Sequence, residues 1–153
     1  MELKKQKLAL SQSLIKSVVF NNVDVSYRIK GKKKISLWVS LILRKELKSI
    51  GLISYNLCSD EFLLNINKTY LKHGTYTDII TFDLSDAEYI SGDIYISIDR
   101  VKENAFLLAV PFQEELLRVI GHGILHLCGY NDKTINEKRI MRKKENHYLS
   151  LLV

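Results

Sequence analysis

The apolar residues of this chain change period repeatedly along its length, and that alternation constrains the fold more than any other feature. Residues 17–29, SVVFNNVDVSYRI, are β-branched and partly alternating, as a half-buried strand is. Residues 32–47 instead place Ile35, Trp38, Ile42 and Leu43 near one helical face. Alternation returns between Gly51 and Cys58, after which Ser59-Asp60-Glu61 opens a second helix with side-chain oxygens free to cap its first amides. The runs TDIITFDL at 77–84 and GDIYISI at 92–98 read as strands with a short polar connection, a hairpin or a neighbouring pair. Three helices complete the pattern: a short one between Asp99 and Ala109, one over 112–128 between Pro111 and Gly129, and one over 134–151. The last begins with Thr134 three residues before Glu137, the spacing of a capping box. The expected architecture is an α/β sandwich of a mixed β-sheet with helices.

Punctuation argues for a single domain over residues 1–153. One proline, Pro111, and seven scattered glycines leave no Pro- or Gly-rich linker. No repeat of ~20–50 residues suggests a solenoid. A chain of 153 residues, 46% hydrophobic and 26% charged, can close one core without staples. Cys58 and Cys128 lack CxxC spacing and are expected to be reduced, buried thiols. The N-terminal residues start out basic, but Ser11, Gln12, Ser13 and Lys16 interrupt the apolar residues before a signal-peptide core forms. No stretch approaches the ~18 apolar residues of a membrane span. The expected location is the cytoplasm, with no membrane partner. A formal charge of +6 favours encounter with polyanions and makes nucleic acid a candidate partner.

The chemistry concentrates in GHGILHLCGYND, residues 121–132. Histidines four apart on a helix stand about 40° apart on the same face, one turn up, which suits two imidazoles on one metal ion. Gly129 permits the left-handed conformation that ends a helix, so that Asp132 can return to the same ion. Two nitrogens and a carboxylate oxygen fit zinc, and three protein ligands leave a fourth position for water, as in catalytic sites. A zinc-bound water, its pKa lowered to ~7, is the expected nucleophile. The metal set is therefore His122, His126 and Asp132, with one Zn2+ per chain. The position after His122 is Gly123, so the HExxH arrangement of zinc proteases, with its glutamate base, is missing. No further general acid or base is assigned.

The segment His122-Gly123-Ile124-Leu125-His126-Leu127-Cys128-Gly129-Tyr130 resembles the HGxLHLxGY signature of the YbeY family of zinc-dependent bacterial endoribonucleases. Asn67-Lys68-Thr69-Tyr70, Thr77-Asp78-Ile79-Ile80-Thr81-Phe82 and Gly92-Asp93-Ile94-Tyr95-Ile96-Ser97 resemble other blocks of that family, in the same order and at similar spacing. The likeness spans about residues 50–150. It implies an α/β fold with zinc held by the last-but-one helix, and a single-strand-specific endoribonuclease. It also implies a role in ribosomal RNA maturation and ribosome quality control, with ribosomal RNA and the small ribosomal subunit as partners. Two departures stand out. The family pattern ends GYDH, with histidine as third ligand, whereas Asp132 occupies that place here. The site is then one charge more negative, which makes a bound water less acidic. Many members carry arginine after the tyrosine of the NxxYR block, where this chain has Leu71 and Lys72 is the nearest cation. Lysine lacks arginine's two-pronged grip on phosphate.

Other candidates are weighed on charge and aromaticity. Lys32, Lys33 and Lys34, with Lys72, are the expected RNA contacts. Lys138, Arg139, Arg142, Lys143 and Lys144 are interleaved with Glu137 and Glu145 and read as a solvated helix face paired within itself. Tyr70, Tyr76 and Tyr130 are either base-stacking platforms or buried rings. His73 and His147 read as surface or capping residues, and Asp78 and Asp93 either cap turns or line the cleft. Glu114 and Glu115 lie two turns before His122, ~10–12 Å along the axis, too far to ligate the ion. Two other functions remain open: a ribosome-associated assembly factor with a structural zinc, and a zinc hydrolase of a peptide or small molecule.

Overall fold

The computed structural model describes residues 1–71, 74 and 76–152. Lys72 and His73 lie outside the described residues, so the expectations for them stay with the sequence. Among the described residues the order is α1 (Glu2–Lys16), β1 (Val18–Asn22), α2 (Lys32–Lys45), β2 (Ser49–Cys58), α3 (Asp60–Tyr70), β3 (Ile79–Asp83), β4 (Tyr89–Ser97), α4 (Ile98–Leu108), α5 (Phe112–Leu127) and α6 (Ile135–Ser150). The strands form a mixed sheet ordered β1-β2-β4-β3. β1 and β2 are parallel, as are β2 and β4, and β3 runs antiparallel to β4 at the edge. The α/β sandwich is as expected.

Period-2 alternation sorts the sheet residues into two cores. Ile53, Tyr55 and Leu57 of β2, with Ile94 and Ile96 of β4, face the larger core beside Val39, Ile42, Ile120 and Ile124 of α2 and α5. Residues of the opposite parity, Cys58 and Ile80, with Phe82 and Tyr95, meet Leu63 and Phe62 under α3. Fully burying one such aliphatic side chain stabilises the fold by roughly 1.5–3 kcal/mol. Two long-range hydrogen bonds fix α5 and α6 in place. Tyr55 Oη donates to the Ile120 carbonyl at 3.1 Å, and Trp38 Nε1 donates to the Tyr148 carbonyl at 2.8 Å.

The expected helix caps form. Ser59 Oγ accepts from the Phe62 amide at 3.1 Å, and Thr134 and Glu137 make the reciprocal capping box. Ser97, two residues before the expected start of the short helix, caps α4 through the Arg100 amide.

Two expectations need correction, and one helix is new. The strand read over 17–29 ends at Asn22, because β1 pairs only as far as Asn22 opposite Leu57. Val25, Tyr27 and Ile29 pack on the larger core without a ladder, so their alternation reports burial alone. Residues 2–16, whose apolar pattern is broken by polar residues, form α1, and Leu3, Leu8 and Leu10 on it are exposed. Cys58 is buried, but Cys128 is only half-buried; both are free thiols, pushed up to about 12 and about 11 respectively by burial first.

Candidate metal centre

α5 begins just after Pro111, with Glu114 and Glu115 in its first turn, where carboxylates complement the positive end of the helix. It can lie close to the sheet because Gly123 carries no side chain. A Cβ there would meet Ile79 Cδ1 at 2.9 Å and Ile94 at 3.2 Å. The neighbouring His122 is thereby held at the rim of the sheet. At the other end, Gly129 has φ 100° and closes a Schellman motif. Its amide donates to the His126 carbonyl at 2.9 Å, and the Tyr130 amide donates to the Leu125 carbonyl at 3.1 Å. That turn carries Tyr130 and Asp132 back over the last turn of the helix.

The result is a compact triad. His122 Nε2 and His126 Nε2 lie 2.8 Å apart, and Asp132 Oδ2 is 3.2 Å from the first and 3.5 Å from the second. Four ligands held at ~2.0–2.1 Å in a tetrahedron are separated by about 3.3–3.4 Å, so these spacings bracket one face of a zinc-sized coordination shell. The far side of each imidazole is committed. His126 Nδ1 donates to the Tyr130 carbonyl at 2.9 Å, and a carbonyl can only accept. His122 Nδ1 donates to Glu145 Oε2 at 2.9 Å. Both tautomers assigned by these bonds leave lone pairs on the facing Nε2 atoms, close to a carboxylate oxygen. Two lone pairs at that separation repel unless a cation or a proton lies between them, so the donor set fits a metal ion.

Electrostatics follow the same geometry. Burial lowers the His122 pKa, but the Glu145 hydrogen bond and charge outweigh it and hold His122 above the usual histidine range. His126 falls below that range because of burial and then the neighbouring His122. Glu145, buried on α6, also receives Arg118 Nη1 and Arg142 Nη1, each at 3.4 Å.

The triad stands where two clefts meet. The larger, about 580 Å3, runs over β3 and the end of α3 and includes Asn67, Leu71, Thr77 and Lys133. The smaller, about 340 Å3, lies between α5 and α6 and includes Glu115, Arg118, Lys138 and Arg142. His122, Asp132 and Asp78 line both.

A family model described as Endoribonuclease YbeY matches residues 19–153. The chain belongs to the YbeY family. Relatives named Endoribonuclease YbeY include one from Flavobacterium psychrophilum, 48% identical over 85% of this chain and 93% of its own length. Another, from Cytophaga hutchinsonii, is 48% identical over 88% of this chain and 95% of its own. The solution structure of TM1509 from Thermotoga maritima superposes with a TM-score of 0.61 at 27% identity, covering 88% of each chain. α1 precedes the region matched by the YbeY model.

Within this YbeY-family fold, the expected ligands His122, His126 and Asp132 converge, and Glu114 and Glu115 stay out of the triad. Lys32, Lys33 and Lys34 are exposed at the start of α2 but line neither cleft. They lie about 18 Å along the helix axis from Glu46, which accepts from Tyr130 Oη at 2.7 Å near the triad. Leu71, in the place of the family arginine, lines the larger cleft. Tyr70 and Tyr76 are exposed, Tyr130 is half-buried and His147 is exposed. Asp78 lines the cleft and accepts from Asn104 Nδ2 at 3.2 Å.

The α6 charges do not simply pair within a solvated face. Lys144 Nζ reaches Glu46 at 2.8 Å, Glu137 caps the helix, and Glu145 turns inward to His122. Glu145 is thus the functional residue that charge patterning missed. Its signal was positional: it lies four residues after Met141 and three before Tyr148, on the buried stripe of α6.

Proposed function

We propose that this chain is a single-domain, cytoplasmic endoribonuclease that holds one Zn2+ on His122, His126 and Asp132 and cuts single-stranded RNA. Ribosomal RNA during maturation is its substrate, with the small ribosomal subunit as partner. The observation that carries this assignment is the convergence of two Nε2 lone pairs and one carboxylate oxygen within 3.5 Å, at the meeting of two open clefts. The relatives named Endoribonuclease YbeY support RNA as the substrate. No helix among the described residues is long and apolar enough to cross a membrane.

When bound, zinc supplies Lewis-acid polarisation of a phosphoryl oxygen and activates water near neutral pH. The protein supplies orientation and charge. Glu145 fixes the tautomer and ring plane of His122, and the Tyr130 carbonyl does the same for His126. Asp132 adds the third donor, the one negatively charged group of the set. Asp78, shared by both clefts and outside the triad, has its carboxyl pushed up, first by burial, an effect the charge of His122 only partly offsets. A carboxyl that keeps its proton longer can deliver it to the departing sugar oxygen.

Purified protein loaded with zinc should cut an unstructured oligoribonucleotide, and His122→Ala should abolish cutting while preserving the fold. A second reading, a ribosome-associated assembly factor with a structural zinc, is favoured by Leu71 standing in the cleft in place of the family arginine. It predicts zinc-loaded wild-type protein that binds ribosomes and cuts no RNA.

A further inference from the structure

An endonuclease must accommodate its substrate strand on both sides of the bond it cuts, and the triad here opens into a cleft on each side. The expected RNA lysines on α2 line neither. Helical geometry brings a different set to the smaller cleft. Lys138, Met141, Arg142 and Glu145 lie on one face of α6 and line it, opposite Arg118 of α5. Arg139 is not among the lining residues and its guanidinium is bonded to Asn136 at 2.8 Å.

Not every cation in the cleft is available to a ligand. Arg118 is tied to Asn146 at 2.8 Å and Glu145 at 3.4 Å, with Glu115 at 3.7 Å. Lys138 is exposed and has no side-chain ion pair among the described residues. Arg142 makes one ion pair among the described residues, to Glu145, and its side chain is 55% exposed, leaving guanidinium donors free.

Resting on the endoribonuclease reading above, we infer that the α5–α6 cleft is a phosphate-backbone subsite for the RNA flanking the scissile bond, with Lys138 and Arg142 as its phosphate contacts. Lys133 lines the larger cleft and not the smaller, and serves the opposite flank. These contacts read no bases, so the subsite positions any single strand and its contribution fades with salt.

The test is steady-state cleavage of an unstructured fluorogenic oligoribonucleotide by zinc-loaded protein across a KCl series. Lys138→Gln/Arg142→Gln should raise KM by roughly 5- to 30-fold and leave kcat within about twofold, as the loss of two exposed charge contacts does. The slope of log(kcat/KM) against log[KCl] should flatten by about 1.4, at ~0.7 per contact on a single strand. Arg139→Gln/Lys143→Gln removes the same charge from the same helix and should change neither. Lys138→Glu, at an exposed and unpaired position, should raise KM further than Lys138→Gln. Unchanged KM and slope in the cleft variants, or an equal shift in the control pair, overturns the subsite and leaves the nuclease assignment standing. Wild-type protein that cuts no RNA overturns both.

Discussion

Glu145 accepts a hydrogen bond from His122 Nδ1 at 2.9 Å, joining α6 to a histidine of the candidate metal centre on α5. The carboxylate is buried and faces the imidazole from the side opposite the triad. Such an outer contact fixes which nitrogen is free for the metal and raises its basicity. Glu145→Ala should therefore weaken zinc binding by roughly 10- to 100-fold, read by chelator competition. Glu145→Gln, which retains an acceptor, should lose less. Wild-type affinity in Glu145→Ala would remove this residue from the account.

Asp78 lines both clefts without belonging to the triad. Asp78→Asn cannot deliver a proton but keeps the acceptor for Asn104. Its cleavage rate should fall by about 100-fold or more, with zinc content unchanged. A variant that cuts as fast as wild type would assign the proton elsewhere.

Gly129 holds φ 100°, a conformation in which a Cβ costs about 1–2 kcal/mol. Gly129→Ala should lower the thermal midpoint by several degrees. It should also weaken zinc binding, because the Tyr130 carbonyl that orients His126 is placed by the same turn. A loss of stability with zinc affinity intact would separate the cap from the metal site.

Glu46 links α2 to the triad region, accepting from Tyr130 Oη, Lys144 Nζ and Tyr148 Oη. Burial raises its pKa, but the hydrogen bonds from Lys144, Tyr148 and Tyr130 outweigh this and hold it below the ordinary value of 4.5. A carboxyl depressed on folding contributes stability that is complete above its unfolded pKa and lost as pH falls through the folded one. Thermal midpoints recorded from pH 7 down to pH 3 should show wild type losing more stability below about pH 4.5 than Glu46→Gln does. Parallel acid limbs would contradict it.

Much of the site was legible because its parts are local. His122, His126, Gly129 and Asp132 lie within one helix end and its turn, where 3.6-residue geometry and a positive-φ glycine decide which atoms meet. Ser59 and Thr134 announced their helices for the same reason, since a cap is a matter of three residues. Glu145 reaches His122 from α6, and Asp78, just before β3, lines the same clefts as the triad; only tertiary packing brings them there. Interleaved charge drew attention away from Glu145, although its place on the Met141–Tyr148 stripe marked it as buried. Val25, Tyr27 and Ile29 misled in the opposite sense: they alternate as a strand does, but there is no ladder for them beyond the end of β1. α1 was illegible because its apolar residues are sparse and several remain exposed.

The three-ligand site stands or falls on the zinc content of purified wild type beside His126→Ala and Asp132→Ala, measured by elemental mass spectrometry without added metal. The proposed site predicts about one zinc per chain in wild type and loss from both variants, as three protein ligands require. Wild type without metal under non-chelating conditions, or Asp132→Ala retaining its full zinc, would contradict the three-ligand site.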